Sequence, residues 1–258
     1  MSAVISLAFW IYLPTSSAVF WLIAVMLWAV TVPFDPRLTL LHRFTCWWGF
    51  QYIQLCPFWD VHIEGREHIV DGKRYMIVAN HQSYADILVL FGIKKHFKWV
   101  SKSEIFQIPF IGWNMSMNAY VRLVRGDRPS VVKMLGACRE HLKRGSSVAM
   151  FPEGTRSPDG EIHSFRQGSF NLAVEAGVPV IPVVVDGTRG ILPSRGWRFR
   201  ATDLQVRVRV LAPVKLDEAN SDAATLSRLV RARMVETLAE LRAPMRARVD
   251  GADRVDRA

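Results

Sequence analysis

No residue from Met1 to Phe34 carries a charge, and the first that does is Asp35. The same stretch holds Trp10, Trp21 and Trp28, and six of the nine tryptophans fall before residue 60. So long an apolar run must be taken out of water by protein or by lipid. A cleaved signal peptide needs a basic start and a short apolar core, and neither is present. A membrane segment is the expected state, with indole rings at headgroup level. Pro14-Thr15-Ser16-Ser17 divides it into arms of roughly 12 and 16 residues, about 18 and 24 Å as helices against a hydrocarbon core of about 30 Å. Two short arms predict a helical hairpin dipping into one leaflet. A single continuous span is the alternative, since Pro is tolerated in membrane helices; a buried hairpin of a soluble protein is the third. Arg37 and Arg43 assign the chain that follows to the cytoplasmic side. A second aromatic stretch, 46–59, is expected to continue along the interface, so residues 1–59 read as a membrane-docking segment.

After Trp59 short apolar runs of strand length alternate with longer helical patterns. Strands are predicted at 61–64, 75–79, 98–101, 120–124, 147–151, 179–185 and 204–211. Helices are predicted at 85–91, 130–143, 168–176 and 223–241, with Gly145 and Gly177 as stop signals. This alternation predicts an α/β domain over 60–243, a mixed, largely parallel sheet flanked by helices. The Arg-, Asp- and Ala-rich residues 244–258 are expected to form a frayed, flexible tail.

Half of the 258 residues are apolar and 22% are charged, which excludes a disordered chain. Lys and Arg outnumber Asp and Glu by 33 to 23, so anionic partners are favoured: phosphates, nucleic acid, acidic proteins or anionic lipid. Cys46, Cys56 and Cys138 are odd in number and lack metal-ligand spacing, which argues against a disulfide scaffold or zinc ribbon and for a reducing compartment.

Four segments can carry chemistry. In Asn80-His81-Gln82-Ser83-Tyr84-Ala85-Asp86, His81 and Asp86 would lie about 140° apart on one continuous helix and could not meet. They meet only if His81 sits in the turn before a helix and Asp86 points back from its first turn. The carboxylate would then fix the imidazole tautomer and leave the other nitrogen as a general base. A loop histidine beside a capping aspartate is the plainer reading of the same spacing. Next, Phe151-Pro152-Glu153-Gly154-Thr155-Arg156-Ser157 follows a predicted strand. Its Gly allows a tight turn and Arg156 offers a planar fork to a phosphate; an ordinary turn with a surface arginine fits as well. Lys102, upstream of Ile108-Pro109-Phe110-Ile111-Gly112-Trp113, and Arg125, before Gly126-Asp127, each end a predicted strand, the usual place for ligand contacts in α/β sheets. Finally, Val178-Pro179-Val180-Ile181-Pro182-Val183 cannot lie in a fully paired central strand and must enter the sheet at an edge or a bulge. Such a run either lines a groove for a lipid chain or is core.

Taken in order, Asn80-His81-x4-Asp86, Lys102-x6-Pro109-x2-Gly112, Arg125, the Phe151–Ser157 block and Val178-Pro179-Val180-Ile181-Pro182 resemble the four blocks of the glycerolipid acyltransferases, closest to the bacterial 1-acylglycerol-3-phosphate branch. The resemblance covers roughly residues 60–215, and the apolar N-terminus resembles that family's membrane-docking element. It implies transfer of an acyl chain from a thioester, on acyl carrier protein or coenzyme A, to the 2-hydroxyl of lysophosphatidic acid, giving phosphatidic acid at the inner membrane with the catalytic domain on its cytoplasmic face. It implies His81 as the general base and Asp86 as its orienter, with no covalent intermediate, metal or bound cofactor. It also implies that Lys102, Arg125 and Arg156 meet the acceptor's phosphate. Glu153, Gly154 and Thr155 would shape the acceptor site, and Pro179, Ile181 and Pro182 the acyl groove. Gly154 is taken as the N–H donor to the oxyanion. Arg122 competes with Arg125 for the phosphate role, and Arg166 stands where a lysine is expected.

Arg207 and Arg209 alternate with Val206, Val208 and Val210. With Arg195, Arg198 and Arg200 they form either a docking patch for acyl carrier protein or anionic lipid, or a solvated face. Two other readings remain open at this stage: the same chemistry on another lyso-lipid, such as a lyso-ornithine lipid, and a non-catalytic protein binding anionic lipid. Nucleic-acid binding lacks a recognisable motif.

Overall fold

The computed structural model describes residues 2–191 and 203–255. Seven strands form one sheet in the order β1-β7-β6-β2-β5-β3-β4. They are β1 (Trp59–Glu64), β2 (Met76–Ala79), β3 (Phe97–Lys102), β4 (Val121–Leu123), β5 (Ser147–Met150), β6 (Val180–Asp186) and β7 (Leu204–Val210). Every neighbouring pair is parallel except β6 and β7. The helices are α1 (Ser2–Thr31), α2 (Thr39–Gln54), α3 (Ala85–Phe91), α4 (Ile111–Met117), α5 (Arg128–Lys143), α6 (Gly168–Ala176) and α7 (Ala223–Val255).

Strand pleating sorts the core into two layers. Ile77, Ala149, Ile181 and Val183 face α2 and α3, packing with Phe50, Ile53, Val89 and Leu90. Met76, Val78, Val148 and Val180 face α5, α6 and α7, where Leu226, Val230, Met234 and Leu238 repeat every fourth residue of α7. β2, β5 and β6 are buried at every position, as strands covered on both faces must be.

β6 is therefore central and not an edge. It tolerates Pro182 because the strand beside it bulges: β6 pairs with β7 from Val183 onward and again through Val180 and Val214. In between, the Pro182 carbonyl accepts from Leu211 N–H. The intervening 211–213 segment leaves the ladder where Pro182 has no N–H to give.

The two-armed hairpin expected around Pro14 does not form: residues 2–31 are one continuous helix, the other reading of this stretch, and a hairpin is made only with α2. α1 continues through Pro14 for 30 residues, about 45 Å. The Thr15 and Ser16 hydroxyls donate back to the Ile11 and Tyr12 carbonyls at 2.8 and 2.6 Å, so this polar cluster is served within the helix. The chain turns between Thr31 and Thr39, where Pro33 and Pro36 flank Asp35 and Leu38 takes a left-handed φ of 56°. α2 then returns along α1, with Tyr52 beside Ser16 and Trp48 against Phe20. Trp48, Phe50 and Tyr52 are buried, so much of the 46–59 stretch is core instead of interface. α1 is long and apolar enough to cross a membrane.

Two further expectations change. Residues 244–255 continue α7 in place of a tail, in keeping with the helix propensity of their Ala and Arg; residues 256–258 lie outside the described residues. Arg207 donates to the Leu241 carbonyl, and Arg209 pairs with Glu64 and Glu240. The basic face of β7 thus ties α7 and β1 to the sheet and is neither a free docking patch nor simply solvated. Arg195, Arg198 and Arg200 lie outside the described residues.

Candidate active site

The ends of β2, β3, β4 and β5 open onto one edge of the sheet, and His81 stands at its centre. Asn80 closes β2 by imitating a ladder pair: its side chain donates to the Val185 carbonyl and accepts from Val185 N–H, at 2.9 and 2.8 Å. His81 follows in the turn, and Asp86 is the second residue of α3. His81 Nδ1 lies 2.7 Å from Asp86 Oδ2, with both side chains almost wholly buried. The same oxygen accepts the backbone N–H groups of Gln82 and Ser83 at 2.6 and 2.8 Å. Asp86 Oδ1 accepts from the Thr188 hydroxyl. Asp86 Oδ2 serves these groups as an acceptor, so Nδ1 carries the proton and Nε2 presents a lone pair. The ring is clamped flat by Phe151, stacked 3.9 Å away at 10°, with Trp99 stacked beyond it.

Glu153 is buried and braces the backbone. Its Oε1 accepts from His81 N–H at 3.1 Å and its Oε2 from His163 N–H at 3.3 Å. Burial lifts its carboxyl above the ordinary carboxylate range, opposed by those two N–H groups. Gly154 has φ +72°, and an added Cβ would strike the Arg166 side chain. Its N–H donates to the Phe151 carbonyl at 3.1 Å, so it closes the turn and is not offered to an oxyanion. Ser157 N–H donates to the His81 carbonyl at 2.7 Å, fastening this loop to the histidine turn.

His81 opens into a cavity of about 640 Å³. Lys102, Arg125, Thr155 and Arg156 are among its lining residues. The Arg156 guanidinium lies 4.0 Å over the Tyr84 ring, and Lys102 pairs with Glu104 at 2.8 Å. Arg122, the competitor of Arg125, is turned away over the Phe106 ring and bonded to Ser116. The apolar wall comes from Phe9 and Leu13 of α1, Trp48 and Ile53 of α2, and Ile87 and Leu88 of α3. Pro179, Ile181 and Pro182 take no part in it: they pack inside the sheet, where Ile181 is fully buried. α1 and α2 reach the cavity because they pack over the end of the sheet beside α3 and α4, which line it with them. Sequence reasoning also missed Thr188 and Phe151. Neither lies near His81 in the chain's helical or strand periodicity, and only the sheet order brings them together.

One cavity thus brings together a buried imidazole, the cations Lys102, Arg125 and Arg156, and many apolar side chains. A family model described as Acyltransferase matches residues 60–186. A 1-acyl-sn-glycerol-3-phosphate acyltransferase of Salmonella typhimurium is 31% identical over 199 residues, covering 75% of this chain and 79% of that protein. The chain belongs to the acyltransferase family. The crystal structure of the 1-acyl-sn-glycerophosphate acyltransferase from Thermotoga maritima matches with a TM-score of 0.75 and 29% identity, over 94% of this chain and 98% of that one. A chloroplastic 1-acyl-sn-glycerol-3-phosphate acyltransferase of Arabidopsis thaliana is 40% identical over 80% of this chain. The chain spans about half the length of such plant and algal relatives, 56% and 52%.

Proposed function

We propose that this acyltransferase moves a fatty acyl group from a thioester to the 2-hydroxyl of lysophosphatidic acid. The observation that carries the reading is the His81–Asp86 pair at 2.7 Å, with His81 lining the same cavity as Lys102, Arg125, Arg156 and many apolar side chains. In this reading the acceptor's phosphate lies against Lys102, Arg125 and Arg156, and its acyl chain runs toward α1 and α2. Nε2 takes the proton of the 2-hydroxyl as its oxygen attacks the thioester carbonyl. The tetrahedral adduct collapses, the carbon–sulfur bond breaks, and the imidazolium returns its proton to the departing thiolate. A thioester is already activated, so the transfer requires no cofactor beyond its two substrates. Asp86 supports the imidazolium in between without itself taking the proton.

Acyl carrier protein and coenzyme A both present the same thioester and serve as donors in this reading. The membrane docking also belongs to it. Leu7, Ile11, Leu22, Met26 and Val30 of α1 are each more than half exposed, and burial of such side chains is worth about 1.5–3 kcal/mol apiece. Docking at a bacterial inner membrane, with the catalytic domain on the cytoplasmic face, would give the cavity direct access to lyso-lipid.

The test is a purified-protein assay in vesicles, offering lysophosphatidic acid or lysophosphatidylcholine with either thioester. Phosphatidic acid formation is expected from lysophosphatidic acid alone. Equal use of both acceptors would overturn the assignment of the three cations to a phosphomonoester.

A further inference from the structure

A second pocket opens at the opposite edge of the sheet, where β2, β3 and β5 begin. The length of the strands, about 15–20 Å, separates it from His81. Its volume is about 270 Å³, and Arg37, Arg43, Lys73 and Lys94 line it. Asp71 is the one carboxylate among the described lining residues, and it is taken by Lys95 at 3.2 Å. Arg37 donates to the Gly145 carbonyl at 3.3 Å, which positions the guanidinium without neutralising it. Among the described residues no carboxylate pairs with Arg43, Lys73 or Lys94.

The fifth group in the pocket is His96. Its Nε2 meets Ser146 Oγ at 2.9 Å, whereas Nδ1 is buried with no hydrogen-bond partner among the described residues. Burial, with Lys98, Arg37 and His141 nearby, pushes the imidazole down to about 3 against the opposing pull of Asp35. A buried ring nitrogen without a hydrogen-bond partner is costly, and the four cations around it have no ion-pair partner among the described residues. An anion in the pocket would supply the counter-charge, and with the ring proton on Nδ1 and Ser146 donating to Nε2 it would also accept from Nδ1.

The surroundings identify its source. The pocket adjoins the turn between α1 and α2, where Val30 and Phe34 are 68% and 66% exposed a few residues before Arg37. Exposed apolar side chains next to unpaired cations suit the boundary between acyl chains and headgroups. A carrier protein delivering substrate to His81 would have no reason to dock at the far edge. We propose that this pocket binds the headgroup phosphate of an anionic phospholipid, fastening the hairpin turn to the bilayer independently of the acceptor site.

The test uses the full chain, histidine-labelled for NMR, in nanodiscs of phosphatidylcholine with and without phosphatidylglycerol. His96 is assigned by comparison with His96→Gln. Phosphatidylglycerol should shift the His96 ring resonances, and Arg43→Gln with Lys94→Gln should abolish the shift. The same double variant should weaken binding to phosphatidylglycerol vesicles about 25-fold, fivefold per cation. Replacing Lys133 and Arg228, exposed on α5 and α7, should change it little. Equal loss from that control pair would reduce the effect to diffuse charge and overturn the site. So would an unmoved His96. An equal shift from inorganic phosphate alone would make the ligand a soluble anion and overturn the lipid source.

Discussion

His81 and Asp86 are chemically useful because everything around them is already committed. Asp86 accepts two backbone N–H groups, the imidazole and the Thr188 hydroxyl, so it has little freedom to rotate. If His81 is the base, His81→Ala should lower turnover by about 10²–10⁴-fold in the vesicle assay, with the fold intact by circular dichroism. Near-normal transfer by the folded variant would sink the mechanism. Thr188→Val keeps shape but leaves Asp86 Oδ1 short of a donor. A loss of about 1.5–3 kcal/mol in urea unfolding is expected, with lower kcat and little change in acceptor KM. Arg156→Ala should act in the reverse sense, raising acceptor KM several-fold through a lost charge-assisted contact while sparing kcat.

At the scale of elements, the hairpin of α1 and α2 supplies one side of the cavity's apolar lining, through Phe9, Trp10, Leu13, Trp48, Tyr52 and Ile53. Its docking is fastened by Tyr52, whose hydroxyl meets Ser16 and Ser17 at 2.9 and 3.1 Å and accepts from Trp48 Nε1 at 2.9 Å. Tyr52→Phe removes the hub and leaves the Trp48 donor buried and unpaired. The thermal midpoint in detergent should fall by several degrees, in line with about 1–3 kcal/mol. The strand order also explains why Pro179, Ile181 and Pro182 do not line the cavity. A strand buried on both faces and paired at both edges has no surface left to offer, however apolar its sequence.

Across the whole molecule, the sheet carries a buried cation in its interior. Lys98 on β3 is 1% exposed and donates to the Asn118 carbonyl at 2.8 Å. Burial lowers its ammonium to about 7 from an ordinary value of 10.5. Between these values the unfolded chain binds the proton more tightly than the folded one. Stability should therefore rise as pH increases from about 7 to 10.5, and fall again on return. Lys98→Met should flatten that slope in urea titrations at pH 7, 8 and 9; an unchanged slope would place the pH dependence elsewhere.

The alternation of short apolar runs with helical patterns, and the charge-free start, were enough by themselves to determine an α/β domain preceded by a long apolar helical segment. Both depend on local periodicity and composition, which need no partner. The His81–Asp86 geometry was legible for the same reason, since a turn followed by the first turn of a helix is short-range. The tertiary structure decided which strand is central, that Glu153 and Gly154 brace the turn, and that α1 and α2 join α3 and α4 in lining the cavity. It also decided that Thr188, 102 residues from Asp86, completes the site. These outcomes depend on sheet order and on which polar groups find each other across it, and a linear pattern contains neither.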